Sequence, residues 1–303
     1  MPVVLVLARG EERPVTSASQ GFDAPFVRSE AAALGAVIVA PPTAAIAAVA
    51  PLPGEPHAIA ERALEQFAVF VGRLHAHGVK TLEVEAVAGA PFGSLCADGA
   101  VIFPGGAFLM RASDVHRRSE LAPLEAALAR ARVPIVGRIE APGLLDGGDV
   151  LLAGDSLYVG VGASRRSEVG IAPSLHGNAL GREQLAAYAR SSNLRVVEVA
   201  VAGEVRRLRS VAALIDAETL LYAPGLIDGS AFTGLQKIEA PRGEDYAAGV
   251  LALGNRRVLA NLRFRETIPL LRKSKVAVDA IDLWEFGKIG ATPSSMALAL
   301  KRG

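Results

Sequence analysis

Short apolar runs alternate with polar turns from about residue 99 onward, and they repeat a unit of two strands, one helix and a third strand. The first unit is predicted at 100–103, 107–110, 117–132 (helix) and 134–139. The second follows at 150–152, 157–161, 182–190 (helix) and 194–201. This regular order predicts a repeat architecture.

Two further units follow the same pattern. The third is predicted at 211–215, 219–222, 231–236 (a poor helical turn) and 238–240. The fourth is clearer and is predicted at 250–253, 257–262, 266–271 (helix) and 276–281. Glycine-containing turns separate the strands within each unit, as expected for short connections.

A fifth unit requires the two ends of the chain to meet. Its segments are 296–300 beside 3–7, the helix 59–74 and the strand 81–87. The prediction is an α/β fold: a closed five-bladed propeller of ββαβ units, in which the N- and C-terminal strands complete one blade. Such closure removes exposed sheet edges. The same alternation is also compatible with an open α/β sheet. Residues 8–56 do not fit the repeat and are interpreted as an insertion or covering segment of a single domain, 1–303.

Composition narrows the classes of partner. The 303 residues carry 32 basic and 31 acidic side chains, a net charge of +1, without the basic stripe that nucleic acid would require. The alanine-rich stretch 31–53 is uncharged, but its two central prolines favour a packed or surface segment over a membrane span. One cysteine, Cys96, excludes an intramolecular disulfide and fits a cytoplasmic protein. No metal set or nucleotide motif is recognised, and we expect no cofactor; oligomerisation stays open.

Residues 145–151 read Leu-Asp-Gly-Gly-Asp-Val-Leu and carry the most distinctive chemistry. Two glycines permit backbone angles that a side chain would forbid, and the apolar residues that follow predict a strand. Taken alone, the motif is an Asp-Gly turn that leads into a strand.

Together with the repeat, this motif resembles the dimethylarginine dimethylaminohydrolases of the amidinotransferase, or pentein, superfamily, from about residue 59 to the end. That family has an aspartate in a Phe-x-Glu-Asp turn, then a strand pair, an arginine and a helix with paired basic residues. Asp98, Arg111 and Arg117-Arg118 occupy these places. The resemblance implies that Arg111 binds the α-carboxylate of an amino-acid-like ligand, which a planar guanidinium can hold through two hydrogen bonds. The alternative is a surface arginine at a strand end.

The second matching segment contains Asp146 and Arg166. The resemblance matches Asp146 to an acidic residue of the family's active site and Arg166 to its second carboxylate-binding arginine. Placing Arg166 requires a two-residue insertion near Val161, and Arg165 is the alternative.

The chain departs from the family first in the guanidinium pocket. The family turn places acidic groups around the cationic end of the substrate, whereas the corresponding positions here are Phe92 and Ala97, leaving Asp98 alone. A buried guanidinium with too few carboxylates is costly. We therefore expect a weaker preference for arginine derivatives.

The catalytic positions depart further. Arg207 takes the place of the catalytic histidine, and an arginine stays protonated at working pH and cannot exchange a proton. Ser294 takes the place of the nucleophilic cysteine, and a serine needs an adjacent base. Cys96 is interpreted as a small buried apolar residue. A histidine or the one thiol within bonding reach of the Asp146 turn would contradict a loss of activity.

Three functional hypotheses follow. The first is a divergent member of the family that binds an amino-acid-like or carboxylate ligand and has lost guanidino C–N hydrolysis. The second is an active hydrolase with altered chemistry, in which Asp98, Asp146 and Arg207 converge in one pocket. The third is a structural or interaction scaffold, because fold does not determine function.

Overall fold

The structure is a computed structural model that describes residues 25–162, 176–202 and 205–303, and the backbone alone of 166–167 and 170–171. The strands are β1 (Leu34–Val39), β2 (Lys80–Glu83), β3 (Ala100–Phe103), β4 (Gly106–Leu109), β5 (Ile135–Arg138), β6 (Val150–Ala153), β7 (Ser156–Gly162), β8 (Arg166–Ser167), β9 (Gly170–Ile171), β10 (Arg195–Val201), β11 (Ala212–Asp216), β12 (Thr219–Tyr222), β13 (Gln236–Glu239), β14 (Leu251–Gly254), β15 (Arg257–Asn261), β16 (Ala277–Ile281) and β17 (Ala297–Arg302). The helices are α1 (Ala60–Ala76), α2 (Leu121–Arg130), α3 (Ala179–Ser191), α4 (Leu208–Val211), α5 (Thr267–Lys273) and α6 (Trp284–Gly287).

Within the described residues, the fold contains five three-stranded sheets, and all five have the same pairing. Two strands pair antiparallel and the third joins in parallel, in the orders β3-β4-β5, β6-β7-β10, β11-β12-β13, β14-β15-β16 and β17-β1-β2. A parallel third strand needs a crossover connection, which explains why a helix precedes it in most units. In the third unit, the predicted helical turn at 231–236 is instead a short 3-10 helix at Gly229–Ala231.

The fifth sheet corrects the interpretation of residues 8–56. The C-terminal strand β17 pairs antiparallel with β1, where Val37 lies opposite Ala299. β1 therefore belongs to a sheet although it lies in the segment interpreted as an insertion; 3–7, the strand predicted for this position, lies outside the described residues. Almost every residue of β1 is buried, so its sequence lacks the alternation that marks a half-exposed strand.

Helix α1 illustrates how the helices cover the sheets. Its buried residues are Ala63, Phe67, Phe70 and Leu74, a spacing of three and four that places them on one face. The opposite face carries charged side chains. No helix among the described residues combines the length and apolar content needed to cross a membrane.

Three charged side chains form a cluster; they come from the segment before β1, from α4 and from β17. Glu30 Oε2 lies 3.4 Å from Arg209 Nη2 and 3.6 Å from Arg302 Nε. Arg302 is 1% exposed and donates to the carbonyl oxygens of Ala32 and Ala252 at 2.8 and 2.9 Å. Burial lowers the pKa of Arg302 to about 10, and the charge of Glu30 opposes this shift. One carboxylate thus balances two buried guanidinium groups.

We predict that Glu30→Gln destabilises the protein by about 3 kcal/mol, because two buried cations lose their shared carboxylate. Chemical denaturation followed by circular dichroism measures this. Glu218→Gln is the matched control: Glu218 is exposed, so its change should stay within about 0.5 kcal/mol. Equal loss in the two variants would contradict a role for the buried cluster.

Candidate functional site

The turn at Gly147–Asp149 presses directly against the neighbouring turn at Cys96–Asp98. A Cβ atom on Gly147 would overlap the carbonyl oxygens of Ala97 and Ala100, and one on Gly148 would overlap the Asp98 carboxylate. Neither Gly147 nor Gly148 has a positive φ. The two glycines are therefore required for close approach, and the sequence interpretation that they supply unusual backbone angles is wrong.

Asp98 is the centre of the charged cluster beneath these turns. It is buried, and its Oδ1 accepts a hydrogen bond from the Gly148 amide at 3.0 Å. Its Oδ2 accepts from Arg117 Nη1 and lies 3.3 Å from Arg207 Nε. Two guanidinium groups of the chain itself therefore share one carboxylate oxygen.

Arg207 links this carboxylate to Asp146. Arg207 Nη2 lies 3.0 Å from Asp146 Oδ1, and the Ser113 amide donates to Asp146 Oδ2 at 3.1 Å. Arg207 directly precedes α4 in extended conformation, and its side chain packs against Gly148 of the glycine turn. Asp98, Asp146 and Arg207, chosen from the sequence for one pocket, do come together.

Further contacts of Arg117, and a third arginine, Arg206, complete the cluster. Arg117 pairs with Glu120 at 2.9 Å, and its Nη2 donates to the Leu95 carbonyl at 3.3 Å. The Arg206 guanidinium lies 4.2 Å above the Phe92 ring, a cation–π contact. Phe92, found where the family has an acidic group, therefore also contacts a cation of this chain.

These ion pairs fix the charges of the cluster. Burial would raise the pKa of Asp98, but Arg207 and Arg117 outweigh it and hold the pKa below its ordinary value. Burial would lower the pKa of Arg207, but Asp146 and Asp98 outweigh it and raise the pKa. Both groups stay ionised at neutral pH, so neither exchanges a proton with a ligand.

A cavity of about 260 Å³ opens beside the cluster. Asp98, Asp146, Arg117 and Arg111 line it. Arg111 is half-buried, and its Nη1 donates to the Gly143 carbonyl at 3.1 Å, which leaves the rest of the guanidinium toward the cavity. The side chain of Arg166, and Arg165 altogether, lie outside the described residues, so the second predicted arginine stays a prediction.

Ser294 is not brought to this cavity. Its hydroxyl donates to the Arg209 carbonyl at 3.0 Å, and it lines the separate small cavity that contains Arg209 and Arg302. Ser294 therefore does not share a cavity lining with Asp98 and Asp146. A serine with these partners has no base beside it.

Cys96 borders the larger cavity but is not activated. Its thiol lies within hydrogen-bonding distance of the carbonyl oxygens of Ile38 and Met296, at 3.2 and 3.4 Å. Burial raises the pKa of Cys96 to about 12. The thiolate is the reactive form of cysteine, so this side chain is inert at neutral pH.

His176 is the residue that the sequence analysis missed. It is buried, and its Nδ1 lies 2.6 Å from Asp149 Oδ1, which also accepts from the Leu208 amide at 2.9 Å. Burial raises the pKa of Asp149, and the hydrogen bond from His176 opposes this shift. The turn thus has a histidine within bonding reach, the condition stated above as contrary to a loss of activity. Because 27 residues separate His176 from Asp149, no local spacing connects the two.

Within residues 25–303 as far as they are described, no three histidine, cysteine, aspartate or glutamate side chains group as a metal site. No protein-family model matches the chain. A dimethylarginine dimethylaminohydrolase of Streptomyces coelicolor is 32% identical over 239 residues, which cover 79% of this chain and 86% of the relative. The chain belongs to the dimethylarginine dimethylaminohydrolase family.

Solved structures agree with this assignment. The dimethylarginine dimethylaminohydrolase of Pseudomonas aeruginosa, a cysteine-to-serine mutant complexed with citrulline, superposes with a TM-score of 0.78 at 25% identity, over 88% of this chain and 99% of that one. The N-terminal domain of a cyanobacterial arginine dihydrolase has the same fold, with a TM-score of 0.75 at 17% identity over 88% and 97%. The α/β pentein fold predicted from the sequence is confirmed.

Membership of the dimethylarginine dimethylaminohydrolase family makes the charge arrangement unusual. By the resemblance in sequence, Arg207 stands where the family has its catalytic histidine. In this chain, that arginine is paired with two carboxylates of the site. The one histidine in contact with the glycine turn, within the described part of the chain, comes from a different segment.

We predict that Gly148→Ala destabilises the protein by about 2 kcal/mol, because its methyl group displaces the Asp98 carboxylate and the Arg207 side chain. Thermal and chemical denaturation measure this. Gly72→Ala on α1 is the control, because its new methyl group meets nothing and should stabilise the helix by about 0.5 kcal/mol or more. An unchanged midpoint for Gly148→Ala would contradict the close contact of the two turns.

Proposed function

We propose that the protein binds an amino-acid-like or other carboxylate ligand in the cavity beside Asp98, and that guanidino C–N hydrolysis has been lost. The observation that carries this proposal is the position of Arg207, which pairs with both Asp98 and Asp146. Arg207 is a permanent cation that occupies the site formed by these two carboxylates, and it cannot act as an acid or base.

Arg111 supports the ligand-binding half of the proposal. Its guanidinium lines the cavity and is oriented by one backbone carbonyl, which leaves donors for a carboxylate. The Pseudomonas aeruginosa relative was solved with citrulline as a cysteine-to-serine mutant. A family member with serine in place of its cysteine can therefore still bind a ligand, which supports ligand binding by this chain.

The absence of an activated nucleophile supports the other half. Ser294 bonds to the Arg209 carbonyl, and the raised pKa of the Cys96 thiol keeps it protonated. Hydrolysis through a covalent intermediate needs a nucleophile beside a base. The described residues that line the cavity provide no such pair.

An active hydrolase with altered chemistry is the second candidate. It is favoured by the convergence of Asp98, Asp146 and Arg207 and by the buried His176–Asp149 pair. An imidazole held by a carboxylate can serve as a general base. His176 meets the condition set above against a loss of activity. We nevertheless favour the binding protein, because His176 is not among the residues that line the cavity.

We also propose that the five sheets close into a ring, a five-bladed propeller, and that residues 1–303 form one domain. β3 lies against β17, and β11 lies against β14. Two small inner cavities are lined by residues of β6, β11 and β14 and of β3, β6 and β17, respectively. These contacts and shared linings support closure, which would remove exposed edges.

We also propose a cytoplasmic location, without nucleic-acid or membrane partners and without a cofactor. The single thiol and the net charge of +1 support this proposal.

We predict that the purified protein does not release amines, urea-type products or citrulline from arginine or methylated arginines above a protein-free control. Product assays by mass spectrometry test this. Thermal shift with the same compounds measures binding, since a ligand that binds only the folded state raises its apparent stability.

Turnover that Ser294→Ala abolishes would contradict the loss of hydrolysis. Turnover that His176→Asn abolishes, with Ser294→Ala unaffected, would instead establish the second candidate. His116→Asn is the matched control for the histidine variant, because His116 is exposed on the 3-10 helix before α2.

A further inference from the structure

We infer that the cavity accepts an amino-acid-like carboxylate ligand whose side chain ends in an uncharged, apolar group, and that it discriminates against a guanidinium or ammonium group at that end. This inference rests on the proposed function and specifies its ligand. Three features of the cavity support it: buried and half-buried carboxylates that are already paired with arginines of the chain, two arginines without a carboxylate partner among the described residues, and an apolar wall.

The buried and half-buried carboxylates that would attract a cationic ligand are already paired within the chain; Glu140, which also lines the cavity, is exposed to solvent, where its attraction for a cation is weak. Asp98 forms ion pairs with both Arg117 and Arg207. Arg207 also pairs with Asp146, and Arg117 also pairs with Glu120. Each pair is mostly buried, where an ion without a partner is costly. A ligand guanidinium that approached Asp98 would have to share this carboxylate with two arginines of the chain.

Positively charged side chains line another part of the cavity. Arg111 and Arg118 both line it, and both are half-buried. Arg111 donates to the Gly143 carbonyl and Arg118 Nε to the Ala112 carbonyl, at 3.1 and 3.4 Å. Among the residues that the structure describes, neither has a carboxylate partner, whereas Arg138 nearby pairs with Glu125 at 3.3 Å. Two guanidinium groups with free donors form a site for an anionic group.

The remaining wall is apolar. Its side chains come from the residues that directly follow β1, β2, β4 and β5 and from α2: Ala40, Val84, Met110, Ile139, Leu121 and Leu124. The volume of about 260 Å³ lies just below the range of about 300 to 1,000 Å³ that is usual for ligand pockets. A compound the size of a single amino acid, with an aliphatic side chain, matches this space and this lining.

Isothermal titration calorimetry on the full chain, with matched ligand pairs, tests the inference. Norleucine and lysine share their backbone and side-chain length and differ in the terminal methyl or ammonium group. Citrulline and arginine differ in the charge of the terminal group. We expect norleucine to bind at least about tenfold more tightly than lysine, and citrulline more tightly than arginine, because a cation meets no unpaired carboxylate in the buried part of the cavity.

Three variants locate the effect. Arg111→Met and Arg118→Met should each weaken norleucine binding by about tenfold or more, whereas Arg190→Met, which removes an exposed arginine from α3, should leave it unchanged. Arg207→Gln should lower the preference for norleucine over arginine by about tenfold or more, because Asp98 and Asp146 lose a shared cation. If Arg207→Gln does not fold, the wild-type ligand pairs decide the matter.

The outcomes separate this inference from the proposed function. If norleucine, citrulline, lysine and arginine all fail to bind, the proposed function is wrong and the inference falls with it. If carboxylate ligands bind but lysine or arginine binds as tightly as its uncharged counterpart, the inference alone is overturned. Norleucine binding that Arg111→Met and Arg118→Met leave unchanged would likewise overturn it.

Discussion

The charge of Asp98 is the constraint on which the rest of the site depends. A carboxylate this deeply buried requires cationic partners, and the chain supplies two, Arg117 and Arg207. Arg207 then reaches Asp146, and Arg117 reaches Glu120, so one buried charge organises a continuous cluster. In a member of the dimethylarginine dimethylaminohydrolase family, this cluster stands where a cationic substrate would be expected to bind.

The backbone makes this arrangement feasible. The sheets bring the turns at Cys96–Asp98 and Gly147–Asp149 together, and Gly147 and Gly148 remove the side chains that would hold them apart. The amide of Gly148 then donates to Asp98. Close packing and electrostatics are therefore coupled. Where the two turns meet, the Asp98 carboxylate lies between the Gly148 amide and the guanidinium groups of two arginines.

Much of this could be predicted from the sequence. Four units appear as repeated apolar strands, and the strands lie within a few residues of their predicted positions, because alternation and glycine turns are local signals. β1 was missed since a strand buried on both faces loses that alternation. The convergence of Asp98, Asp146 and Arg207 followed from the family resemblance. Arg117 as the partner of Asp98, His176 beside Asp149, and the separation of Ser294 depend on tertiary contacts that no local pattern encodes.

The central claim is that guanidinium groups of the chain itself occupy the acidic site. A crystal structure of the protein grown in excess L-arginine at neutral pH tests it most directly. The account predicts that Arg117 and Arg207 remain on Asp98 and that no ligand guanidinium contacts that carboxylate. A ligand guanidinium bound to Asp98, with Arg207 or Arg117 displaced from it, would contradict the account.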